Sequence, residues 1–202
     1  MLLILLWLWN FGISWLNAWG CGKSWTETKY FGGVAHFMNW MAAIMSACGF
    51  TWCYAVLACL VGGNVHHHVG GKYVPYLSPE QVSAVLQAGY LLIILPILGS
   101  GLAITIHSWV VWKRNRGMRN AAIAGYNTFA DIYNTYEAIR TVPSASRGVW
   151  KFFDSDDKGK GIVLLIVVAA ALGGILTTYT IITAVARRTR IARSLSYDRI
   201  KA

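Results

Sequence analysis

The chain has 202 residues, of which 56% are hydrophobic, with a mean hydropathy of +0.47 and a formal net charge of +10. That composition excludes an ordinary soluble domain and agrees with a multi-pass membrane protein. No G-x-S-x-G, H-E-x-x-H or dinucleotide-binding pattern occurs, so no familiar catalytic signature is present.

Charge is absent from Met1 to Gly22, Tyr30 to Gly71, Gln81 to Trp112 and Gly161 to Ala186. A bilayer core asks for about 20 apolar residues per helix, because each helical residue advances about 1.5 Å. The runs predict an all-α protein with spans near 2–19, 34–62, 83–112 and 161–186, forming one integral membrane domain over residues 1–202. The first run carries Asn10, Ser14 and Asn17 among four tryptophans. It reads as a span, with a tryptophan-rich interfacial helix as the alternative. It lacks the basic start of a cleaved secretory signal, since its first Lys or Arg is Lys23.

Residues 20–33 read as a short polar loop. Residues 63–82, with Gly63, His66-His67-His68, Gly70-Gly71 and two prolines, read as a turn-rich loop. In the second run, Cys48, Cys53 and Cys59 join Ala42, Ala43, Ser46, Ala47 and Gly49 as small packing residues, and Cys21 closes the first. No C-x-x-C occurs.

His36 near the start of the second span and His107 near the end of the third fall at one membrane face if those spans are antiparallel. Two imidazoles at one depth are the ligand set of a b-type haem, which makes a haem-bearing electron-transfer anchor an alternative reading. No matching propionate partners stand out. His66, His67 and His68 form a second candidate, a transition-metal site, with no nearby Cys or carboxylate to complete the shell.

Residues 113–160 are the only sizeable region outside the spans. Within Asn120–Thr141, Phe129, Ile132, Tyr133, Tyr136 and Ile139 recur at helical spacing, which predicts an amphipathic interfacial helix. Pro143-Ser144-Ala145-Ser146 is expected to end it. Asp154 to Gly159 begins like a calcium loop, but Lys158 and Leu165 stand at the fifth and twelfth positions, so the EF-hand is rejected.

The last span pairs Ala169 with Gly173 and Ala170 with Gly174 at small-xxx-small spacing, the pattern that lets helices approach closely in lipid. Basic residues flank the spans at Lys113, Arg114, Arg116 and Arg119, and again at Arg187, Arg188 and Arg190. Lipid headgroups or partner subunits are their expected contacts, and nucleic acid is the weaker reading, because such stretches beside spans ordinarily meet anionic lipid. Four spans would put 113–160 opposite the termini, so the two basic clusters make competing claims on orientation.

No family resemblance emerges: the claudin first-loop pattern and the Cys-Cys-Gly loop signature of tetraspanins are both absent. The leading expectation is a non-catalytic structural or accessory subunit of a larger membrane assembly, partnered by lipid and by other subunits or its own copies. No small-molecule substrate is indicated. The alternatives are the haem anchor and an oligomeric, holin-like pore.

Overall fold

The computed structural model describes residues 2–26 and 28–201, with side chains for all of these except 28–35, 95, 100 and 198–201. Five helices follow in order: α1 (Leu2–Trp25), α2 (Thr28–Asn64), α3 (Pro79–Arg114), α4 (Met118–Asp154) and α5 (Lys160–Lys201). Four of them contain stretches long and apolar enough to cross a membrane: Leu2–Trp25, His36–Asn64, Pro79–Arg114 and Lys160–Tyr197. The protein is an all-α, multi-pass helical protein.

Each helix pair is held at several levels. α1 runs antiparallel to α2: Cys53 Sγ faces the Trp7 carbonyl at 3.7 Å, Phe11 meets Phe50 edge-on at 5.4 Å, and Cys21 Sγ donates to Asn39 O at 3.0 Å. α1 therefore packs along α2 from Asn39 to Cys53. α5 is antiparallel to α2, with Tyr54 and Thr177 hydroxyls 2.7 Å apart and Ile182 clustered with Ala42 and Ala43. α3 returns antiparallel to α2 from the opposite end, where Leu77 covers Gly62 and Trp52 covers Gly89. Two buried clusters result, one around Ala55, Val85 and Val163, the other around Ala18, Phe50 and Ile182.

The loop expected at 20–33 is largely helical. α1 continues to Trp25 and α2 begins at Thr28, because Cys21 and Gly22 are buried between α2 and α5 and hold the last turn in place. Likewise, residues 63–82 are more ordered than a turn-rich loop. β1 (His66–Val69) pairs antiparallel with β2 (Lys72–Pro75), with Val69 opposite Lys72. Gly70 and Gly71, at φ +55° and +83°, supply the two left-handed residues of a tight hairpin turn, a conformation glycine adopts at no steric cost. Ser78, Pro79 and Gln81 then start α3 with a reciprocal capping box.

The largest difference lies in 113–160. The amphipathic helix is present, but it runs from Met118 to Asp154 and passes straight through Pro143. Ser144 Oγ donates to Thr141 O and Arg147 Nε to Pro143 O, while buried Ala138 and Ala145 hold both halves of the helix. The helix continues although Pro143 supplies no backbone donor to Ile139 O.

α4 packs antiparallel along α3 for the length of both helices. Trp109 Nε1 donates to Thr128 Oγ1 at 2.9 Å and Thr105 Oγ1 to Asn127 O at 3.2 Å. Asp131 abuts Gly101, Gln87 abuts Gly148, and Gln81 Nε2 reaches Asp157 Oδ1 at 3.3 Å. α5 consequently starts at the end of the bundle where α2 finishes and α3 begins, with Val163 clustered beside Cys59, Ala84 and Phe152. Residues 118–154 thus run back along α3 rather than staying beside its C-terminal end.

Candidate functional site

Because α4 returns to the hairpin end, the two basic clusters fall at the same end of the bundle. That end carries Lys23, Lys29, Lys113, Arg114, Arg116, Arg119, Arg187, Arg188, Arg190, Arg193, Arg199 and Lys201, which is 12 of the 18 basic residues. The hairpin end carries Lys72, Lys151, Lys158 and Lys160 against Glu80, Asp154, Asp156 and Asp157. The molecule is thus electrically polar along the bundle axis.

At the basic end a groove of about 730 Å³ opens between α2 and α5. Ala43, Ile44, Ala47, Ile175 and Ile182 form its apolar wall, Trp25 and Trp40 stand at one flank, and Arg187 and Arg190 form the rim. The two indoles are 5.5 Å apart, and Trp40 Nε1 donates to His36 Nε2 at 3.0 Å.

The outer face of α4 is the second unusual surface. Tyr126, Phe129, Ile132, Tyr133, Tyr136 and Ile139 are all exposed, and Arg140 and Arg147 are exposed beside them. Its inner face offers α3 mostly small or polar groups, namely Ala124, Asn127, Thr128, Asp131, Ala138 and Gly148. With equal rise per residue, the 101–131 and 87–148 contacts put Arg140 beside α3 residues about 93–95, near the middle of its charge-free run.

The proposed packing pairs are split by the structure. Ala170 and Gly174 are buried on the α2 side, where a Cβ at Gly174 would lie 2.6 Å from Ala47 O and 2.8 Å from Thr51 N. Ala169 is exposed, and a Cβ at Gly173 would meet only the Tyr54 ring at 3.5 Å, an ordinary contact. The close approach belongs to Ala170/Gly174 and is spent within the chain.

The histidines have separate surroundings. His36 Nε2, the nitrogen a haem iron would take, accepts from Trp40, and its ring packs 6.2 Å from Trp25. His107 lies on the part of α3 whose neighbours Thr105 and Trp109 bond α4. On the hairpin, His66 Nδ1 pairs with Asn64 O, His67 stacks 4.8 Å from Tyr76, and His68 meets Tyr73 edge-on at 5.1 Å. Among the described residues, no three His, Cys, Asp or Glu side chains cluster as a metal shell would require. Asp157 instead closes its own turn, accepting from Gly159 N at 2.6 Å as well as from Gln81.

The bundle defines a class, a multi-pass α-helical protein with transmembrane-length helices. No family model, curated protein or solved structure matches this chain. The sequence reading missed the groove, because its walls come from two helices. One signal was available: Trp40 and Arg187 each stand near the basic end of their own span.

Proposed function

We propose that this protein is a non-catalytic structural subunit of a larger membrane assembly and that the outer face of α4 is its docking surface. The observation that supports this reading is the exposure of Arg140 and Arg147 on a helix packed along the depth of α3. An arginine facing hydrocarbon at a helix centre costs about 2.5–3.5 kcal/mol, so Arg140 disfavours bare lipid there, and Arg147, nearer the helix end, adds a smaller cost. The rings and aliphatic chains of Tyr126 to Ile139 equally disfavour bare water. A protein surface with apolar pockets and acceptors for two guanidiniums satisfies both. A second copy of the chain or another membrane subunit can provide it.

The charge distribution supports an orientation as well. With 12 basic residues at one end, the positive-inside tendency directs that end to the cytoplasm or its equivalent.

The test is the mass of the complex purified in mild detergent, for wild type and for Tyr133→Ala/Tyr136→Ala. Wild type is expected to run as an assembly larger than 22.3 kDa of protein. The variant should dissociate at about tenfold higher concentration, since buried tyrosines dominate such interfaces. A wild-type protein that is monomeric by native mass spectrometry in several mild detergents contradicts the proposal.

A further inference from the structure

We infer that the groove between α2 and α5 binds one anionic phospholipid from the leaflet at the basic end, with an acyl chain along the groove and the phosphate on Arg187 and Arg190. The inference is independent of what covers α4.

Depth is the first support. The charge-free run of α5 extends from Gly161 to Ala186, and Ile175 lies close to its midpoint. From Ile175 to Arg187 the helix advances about 18 Å, against about 15 Å for the hydrocarbon of one leaflet. The groove therefore starts near mid-bilayer and ends where headgroups begin.

The chemistry of the wall is the second. Its threonine hydroxyls are already satisfied within α5: Thr178 Oγ1 donates to Gly174 O and Thr183 Oγ1 to Tyr179 O, each at 2.8 Å. The wall consequently asks for hydrocarbon rather than for a polar ligand. Small side chains at Ala43, Ala47 and Ala186 provide the width for a chain.

The rim is the third. Arg187 and Arg190 are three residues apart, hence on one helical face, and among the described residues no carboxylate lines the groove. Guanidinium groups bind phosphate oxygens in paired hydrogen bonds. Their neighbours are differently used: Arg193 Nη1 donates to Thr26 O at 3.2 Å, and Arg188 does not line the groove. Trp25 and Trp40 sit beside the rim at the level where indoles prefer the interface. The pattern selects an anionic headgroup over a zwitterionic one.

The experiment is native mass spectrometry of the delipidated full-length protein in detergent, titrated with phosphatidylglycerol or with phosphatidylcholine of the same acyl chains. Wild type should retain one phosphatidylglycerol, favoured over phosphatidylcholine by up to about 30-fold if both arginines contribute fully. Arg187→Gln/Arg190→Gln should bring the two lipids within about threefold of each other, while Arg188→Gln keeps the preference. Ala186→Phe, which fills the groove below the rim, should lose both lipids; circular dichroism checks that each variant remains helical.

Equal retention of the two lipids by wild type would overturn the inference. So would an Arg188→Gln variant that loses as much preference as the double variant. If inorganic phosphate competes the lipid off at millimolar concentration, the rim is a free-anion site and the acyl-chain assignment fails.

Discussion

The α2–α5 seam closes by removing side chains, whereas the α3–α4 seam closes by pairing polar ones. At the first, Gly174 brings the α5 backbone against Ala47 and Thr51, and the helices turn Leu164, Leu165, Leu172 and Leu176 outward. At the second, Thr105, Trp109 and Gly101 meet Asn127, Thr128 and Asp131, and α4 turns tyrosines and arginines outward. Lipid solvates the first exterior directly. It cannot solvate the second without cost. The first seam leaves an exterior suited to lipid, and the second leaves the face proposed above as a docking surface.

The contrast breaks most readily at Gly174. Gly174→Leu forces a side chain into main-chain atoms that cannot yield, so the bundle should lose about 3 kcal/mol or more, read as a lowered thermal midpoint in detergent. The α4 variant Tyr133→Ala/Tyr136→Ala should act the other way round. Its monomer stability should stay within about 0.5 kcal/mol of wild type, because exposed side chains contribute little to folding, while assembly weakens. A variant that lowered monomer stability as much as Gly174→Leu would place those tyrosines in the fold rather than at an interface.

Smaller effects sharpen the boundaries. Ser78→Ala removes the capping acceptor for Gln81 N and should cost about 1 kcal/mol, expressed as fraying of α3 near the hairpin in hydrogen exchange. Gly173→Ala, one residue from the critical glycine, should stay within about 0.5 kcal/mol of wild type, since its new methyl meets only an ordinary contact. Similar losses at 173 and 174 would show that the close approach is misassigned between them.

The spans were legible in the sequence because charge is costly in hydrocarbon, so long charge-free runs mark where the chain meets lipid. The same rule hid the path of α4. Asp131 and Glu137 are partly buried and Arg140 and Arg147 are exposed, so their charges led hydropathy to assign the segment to the surface. Pro143 added a stop signal, which the helix passes with Ala138 and Ala145 buried on either side of it. The β-hairpin was readable from Gly70-Gly71 between Val69 and the Tyr73-Val74 pair, but three consecutive histidines obscured the strand pattern. Which of two interleaved small-residue pairs carries the seam depends on helix rotation, and a one-residue offset on a helix is about 100°.

The path of α4 is tested most directly by labelling single introduced cysteines with a membrane-impermeant maleimide in sealed vesicles of known orientation. The sites are Asn115→Cys, Asp156→Cys and Ser194→Cys, all at exposed or half-exposed positions outside the seams. The native thiols within α1 and α2 set the background. The structure predicts that positions 115 and 194 label from one side and position 156 only from the other. Labelling of 115 and 156 together, opposite 194, would return 113–160 to a single face and contradict the account.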